Sequence, residues 1–336
     1  MQITQASFQK FFYQLERSIM MDTHLNTKRI LIFLAFAFGI PWAMALAFYL
    51  SGKLEYNPGQ ALTLLNYVFI STPALANVVT RLITREGWQH LWLWPSFRGG
   101  WKFYLAVWLL PLLAMIPGTL IYYLLFPQSF DPSLAAARNL PVPIPFGETA
   151  NFWSVLLSLT LQLMIFQGLI GGVVAIGEEF GWRAYLLQKL TDRFGNARNA
   201  AVLVGVIWGV WHLPLLFVGL GTDPNISGSR DIFIFALIYP ISTISSSILL
   251  SWATLRSGSV WPAAIGHTTE LGVAGLPMGM MKGPVNLLVS PNPQSLIGNL
   301  GFIALALVLY FNRRAFAGRR EAGSEKTRAK EYSTLV

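Results

Sequence analysis

Eight stretches of this chain stay apolar over about the length a helix needs to cross a bilayer. They are 30–51, 59–80, 103–126, 152–176, 200–219, 232–255, 259–277 and 295–311. A span takes about 20 mostly apolar residues, and in lipid a helix satisfies its own backbone groups. The pattern predicts an all-α, polytopic transmembrane bundle of about eight spans, of which the second and seventh carry the most polar residues and proline. A segment before residue 30, the bundle over 30–311 and a basic tail over 312–336 complete the organisation. The first stretch is too long for a signal-peptide core and lacks a small-residue cleavage site, so it is expected to be an uncleaved span. The segment Trp88–Trp101, with Trp88, Trp92, Trp94 and Trp101, is expected at the inner interface. Pro127–Phe146, with prolines at 127, 132, 141, 143 and 145, reads as an outer loop.

Charge gives this map a direction. With eight spans and the N-terminus inside, twenty of the 24 Lys and Arg residues fall on inner segments, and only Lys53, Arg138, Arg230 and Lys282 fall outside. The positive-inside rule then places both termini in the cytoplasm. Net charge +9 is therefore an orientation signal, with the tail suited to anionic headgroups. It does not point to nucleic acid, because no nucleic-acid-binding module accompanies it.

Composition agrees. The chain is 54% hydrophobic and 12% charged, about half the charged fraction of a soluble domain. The expected location is an integral, multi-pass membrane, the cell membrane in a prokaryote. Cysteine is absent, which removes disulfides, a thiol nucleophile and thiolate metal sites.

Against this background the ionisable residues in apolar stretches stand out, since a charge at mid-bilayer costs about 2.5–3.5 kcal/mol even by the lower estimates. Gly177-Glu178-Glu179-Phe180-Gly181-Trp182-Arg183 ends the fourth stretch. On a helix Glu179 and Arg183 are i,i+4 neighbours that can pair, which leaves Glu178 available as a base. Charges at a helix's interfacial end are also normal without any chemistry. His212 follows Trp208 by one turn on the same face and precedes Pro214, which disturbs the helix around 210–214 and frees carbonyls. A histidine bonded to such a carbonyl is the plain structural alternative. His267 follows Gly266, which permits close helix approach, and Glu270, one turn on, is placed to orient it or pair with it.

These residues, in this order and spacing, resemble the intramembrane protease family that includes CAAX-prenyl proteases and bacteriocin-processing or self-immunity proteins. That family shows Glu-Glu-xxx-Arg, then aromatic-xxx-His, then His-xxx-Asn. Here the first is Glu178, Glu179 and Arg183, and the second is Trp208 and His212, with Trp where Phe is commonest. The third begins at His267 but has Leu271 in place of Asn. The resemblance covers about 150–275.

The resemblance implies that Glu178 and His212 activate a water for attack on a peptide carbonyl while His267 helps stabilise the oxyanion. Glu179 and Arg183 would hold the architecture, with Trp208 and Glu270 in support. The substrate it implies is a peptide or protein segment reached from the cytoplasm or inner leaflet, prenylated in the namesake activity. Leu271 has no hydrogen-bond donor, and Thr268 and Thr269 are the nearest replacements in sequence. Glu178, His212 and His267 are also the residues that would ligate Zn. The reading favours metal-free water activation and keeps Zn as the alternative, there being no His-Glu-xx-His signature. Two other functions stay open: a scaffold or bacteriocin-immunity protein whose site has decayed, and a proton-coupled transporter.

Depth poses a difficulty. Counted from the inner ends of their spans, His212 and His267 lie about 18 and 12 Å deep at ~1.5 Å per residue, whereas Glu178 sits at an inner end. The fourth span must therefore start late, tilt or continue inward, with Gly171 and Gly172 as places for a bend.

Overall fold

The structure, a computed structural model, describes residues 5–52, 58–138, 150–221, 229–312 and 314–316. The side chains of 5–23, 58, 221 and 229 are not among those described. Lys53, residues 139–149 of the expected outer loop, and the basic tail beyond Phe316 lie outside the described residues.

The principal helices are α1 (Gln5–Leu50), α2 (Pro58–Thr84), α3 (Trp101–Leu125), α4 (Phe152–Phe194), α5 (Ala197–Trp211), α6 (Leu213–Gly221), α7 (Ser229–Ser257), α8 (Trp261–Gly279) and α9 (Leu300–Phe311). Among the described residues the only β feature is an isolated bridge between Phe130 and Met281. The all-α membrane bundle is thus observed, and the chain is an integral, multi-pass membrane protein.

Five helices are long and apolar enough to cross a membrane, or six if α5 and α6, bent by 40° at their junction, make one span. Six of the eight expected stretches are accounted for in this way. The seventh became α8, whose polar run from His267 to Glu270 faces the bundle interior. The eighth shrank to the 12 residues of α9, about 18 Å of helix, because residues 281–299 are irregular. Several residues of that segment, including Ser290, Ser295 and Asn299, are nevertheless buried.

The depth difficulty is resolved by α4. It does not stop at residue 176 but runs 43 residues to Phe194, about 65 Å, so Glu178 and Glu179 lie well inside a continuous helix. Asn151 caps its start by accepting from the Ser154 N–H, and Gly195, at φ +64°, ends it. Asn196 then caps α5 by accepting from the Arg198 and Asn199 N–H groups. A turn this tight makes α4 and α5 an antiparallel hairpin, and Glu178 and His212 stand almost equally far along its two arms. Two π-helical segments, Leu163–Ile170 and Trp182–Leu186, flank the α-helical Gly171–Gly181 that carries the two carboxylates. Such segments reset the rotation of a helix and recur at functional sites.

Small residues set how closely the helices approach α4. A Cβ on Gly177 would lie 2.4 Å from the Ile70 carbonyl oxygen, and one on Gly181 would lie 2.4 Å from Pro73 Cβ, so α2 packs directly on this face. On the opposite side Gly172 meets Ile265 of α8 at 3.2 Å, so the glycine pair expected to allow a bend instead admits a neighbouring helix. Gly266 is similarly closed in by Leu250 and Val107. An aromatic core formed by Phe33, Phe69, Trp182, Tyr185 and Trp211 joins α1, α2, α4 and α5. Beside it Glu86 accepts from Tyr185 Oη at 3.0 Å and pairs with Arg29 at 3.3 Å and with Lys189, which ties the end of α2 to α1 and α4.

A Gly181→Ala chain should be less stable by about 1–3 kcal/mol, as overpacked sites are. Gly39→Ala, where a Cβ meets nothing within 4 Å, should be neutral or slightly stabilising. Thermal unfolding of both variants in one detergent checks the contrast; equal melting temperatures would contradict the close packing of α2 on α4.

Candidate active site

Three helices bring the ionisable residues together. Glu178 is 6% exposed on α4, His267 is 7% exposed on α8, and His212 is half-buried at the junction of α5 and α6. All three line one cavity of about 330 Å³, which also reaches Tyr239, Glu270 and Leu271.

Trp208 organises two of them. Its indole Nε1–H donates to Glu178 Oε2 at 2.9 Å, and its backbone carbonyl lies 2.8 Å from His212 Nδ1. Because a carbonyl only accepts, His212 Nδ1 carries the proton, and Nε2 is left as the free base when the ring is neutral. The kink that the sequence predicts at Pro214 is present, with His212 at the break between α5 and α6. The bond to a helix carbonyl is also there, so the arrangement that would satisfy a structural histidine serves to orient this one. The Trp208 and His212 rings are 5.5 Å apart, and Trp208 also contacts the His267 ring edge-on at 5.0 Å.

Glu179 is fully buried and joins Arg183 and His267. Its carboxylate is 3.1 Å from Arg183 Nη1, one turn along α4, and 2.9 Å from His267 Nδ1 on α8. Arg183 is fully buried too, stacks over the Trp208 ring at 4.5 Å, and has Nε and Nη2 without a hydrogen-bond partner among the described residues. Adjacent positions in sequence thus differ in role: Glu178 faces the cavity, and Glu179 faces Arg183 and His267.

Glu270 corrects the sequence-based expectation for His267. One turn away on α8, it keeps Oε1 without a hydrogen-bond partner among the described residues, and His267 takes Glu179 instead. The reason is packing: α4 passes close enough through Gly172 to place Glu179 against the imidazole. Thr268 and Thr269 are also accounted for. The Thr268 hydroxyl donates to the Gly168 and Ala264 carbonyls and that of Thr269 to the Ile265 carbonyl, and neither residue lines the cavity. Leu271 does line it and is 53% exposed.

Among the described residues no group of three or more His, Asp or Glu side chains is placed to hold a metal ion. Nδ1 of each histidine and one oxygen of Glu178 are engaged, which leaves each Nε2 and the other carboxylate oxygen available.

The buried site reveals two residues that the motifs did not indicate. Tyr239 and Asn299 line the cavity at 6% and 3% exposure. For Tyr239 the available signal was the polar run of Tyr239, Ser242, Thr243, Ser245, Ser246 and Ser247 within an otherwise apolar span. Asn299 lies in a stretch with no such signal.

These features define a polytopic helical membrane protein that encloses one free carboxylate and two oriented imidazoles in a buried cavity. Residues 150–270 match the family model described as type II CAAX prenyl endopeptidase Rce1-like. Over 144 residues the chain is 32% identical to the CAAX prenyl protease 2 of Methanococcus maripaludis, an alignment covering 38% of this chain and 52% of that protein. The chain thus spans about half the length of this curated relative. The segment 150–270 that is similar to this family model holds Glu178, Glu179, Arg183, Trp208, His212, His267 and Glu270.

Proposed function

We propose that this protein is an intramembrane endopeptidase that hydrolyses a peptide bond of a peptide or protein substrate, with prenylated CAAX-type peptides as the first class to try. The Rce1-like match supports the class of reaction. The observation that carries the mechanism is the convergence of Glu178, His212 and His267 on one cavity.

A water in that cavity meets the unengaged oxygen of Glu178 and Nε2 of His212. Glu178 takes a proton as the water oxygen bonds to the peptide carbonyl carbon, and the carbonyl π electrons move onto oxygen. The tetrahedral centre then collapses, the C–N bond breaks, and the proton held by Glu178 passes to the leaving amine. His212 aligns the water. His267 holds Nδ1–H towards the Glu179 carboxylate, and in the doubly protonated ring Nε2–H can meet the oxyanion. Lipid and bundle exclude bulk water, which strengthens each of these interactions. Termini on the cytoplasmic side, the expectation of the sequence, would give the site access to substrates from the inner leaflet.

The test is cleavage of a panel of CAAX peptides, prenylated and unprenylated, by purified protein in lipid vesicles, with and without a chelator. Wild type is expected to cleave and to keep its rate under chelation, whereas His267→Ala should be slower by about 100-fold to 1000-fold. Rates lost on chelation and restored by added Zn would overturn the metal-free mechanism. A wild type inert across the panel, or wild-type rates in the His267 and Glu178 variants, would overturn the endopeptidase reading.

A further inference from the structure

We propose that the Tyr239 hydroxyl is the donor that meets the oxyanion alongside His267, in place of the carboxamide that Leu271 lacks. The inference rests on the endopeptidase reading and addresses the feature that most weakens it.

Leu271 faces the cavity with an alkyl side chain, and the hydroxyls of Thr268 and Thr269 are engaged with backbone carbonyls elsewhere. The missing donor must therefore come from another helix. On α7, Ser242 donates to the Tyr239 carbonyl, and Thr243 donates to the carbonyls of Gly205 and Pro240. These hydroxyls are engaged. The Tyr239 hydroxyl has no hydrogen-bond partner among the described residues, although the residue is only 6% exposed and lines the cavity. This hydroxyl is not one of the sealed, unpartnered polar atoms of the bundle, so on a cavity-lining residue it is open to an acceptor that enters the cavity.

Tyr239 is also in the right company. Its ring packs edge-on against the His212 imidazole, with centroids 5.6 Å apart and planes at 67°. Glu178 lines the same cavity. The phenol thus stands beside both groups that would activate the water. Its O–H is a neutral donor, and a phenol is one of the side chains that serve as oxyanion donors. Asn299 is the other buried cavity-lining group of suitable chemistry, but among the described residues no hydrogen bond or ring contact links it to Glu178, His212 or His267. Tyr239 is therefore preferred. On this account Leu271 does not mark a decayed site; the donor has moved from α8 to α7.

The deciding variant is Tyr239→Phe, which removes one oxygen and keeps the ring against His212. In the vesicle assay its kcat should fall by about 100-fold to 1000-fold with KM unchanged, as expected for an interaction made only in the transition state. Adding Leu271→Asn to Tyr239→Phe should restore most of the lost rate, whereas Leu271→Asn alone should change wild type by less than about tenfold. A purely structural role for the hydroxyl would lower stability without giving this rescue. The proposal is overturned if Tyr239→Phe stays within about twofold of wild type, if Leu271→Asn does not rescue it, or if Asn299→Ala shows the loss instead. A wild type that cleaves while Tyr239→Phe cleaves equally well sinks this inference alone. A wild type that cleaves nothing sinks the endopeptidase reading with it.

Discussion

A Glu179→Ala chain is expected to lose about 3–5 kcal/mol of stability, the usual consequence of removing one partner from a buried ion pair. Glu179 is fully buried between Arg183 Nη1 at 3.1 Å and His267 Nδ1 at 2.9 Å. Without it the Arg183 guanidinium remains fully enclosed, its charge answered mainly by the face of Trp208, and α4 loses its polar tie to α8. Thermal unfolding in detergent measures the loss, and an unchanged melting temperature would show that the carboxylate does not hold the bundle together. Glu179→Gln should lie in between, since it keeps an acceptor for His267 and removes the charge.

The neighbouring Glu178→Ala is expected to behave in the opposite way. Its removal frees the Trp208 indole N–H towards the cavity rather than sealing it away, so the fold should persist. Cleavage should fall by about 100-fold to 10,000-fold, the range a positioned general base contributes. Melting temperature and turnover measured on the same two preparations separate the carboxylates: one variant loses stability, the other loses rate. If Glu178→Ala retained wild-type turnover, the base would have to be sought elsewhere, with Glu270 the next carboxylate on the cavity.

Part of this division was legible in the sequence. The i,i+4 spacing of Glu179 and Arg183 predicts their pairing, and Trp208-xxx-His212 predicts a shared face; both are geometric consequences of a single helix. What crosses between helices was not legible. His267 takes Glu179 from α4 rather than Glu270 from its own helix, because glycines at 172 and 266 let helices approach to a distance that hydropathy does not encode. The depth of Glu178 was misjudged for a related reason. The apolar run fades near residue 176, but the helix continues, because Trp182 to Leu187 are buried against α1 and α5 rather than exposed at an interface. The span count differs for the opposite reason: α8 and α9 are apolar enough to suggest crossings, yet one is too polar on its inner face and the other too short.

Trp208 has a consequence for how the site tolerates motion. The base is held by its side chain and the first imidazole by its main chain, so both references belong to one residue. When α5 shifts or rotates within the bundle, Glu178 and His212 are carried along together, and the gap in which a water would sit is preserved. The same residue also meets His267 of α8 ring to ring, and Tyr239 of α7 reaches it only through His212, so a change at Trp208 would be felt by every group on the cavity at once.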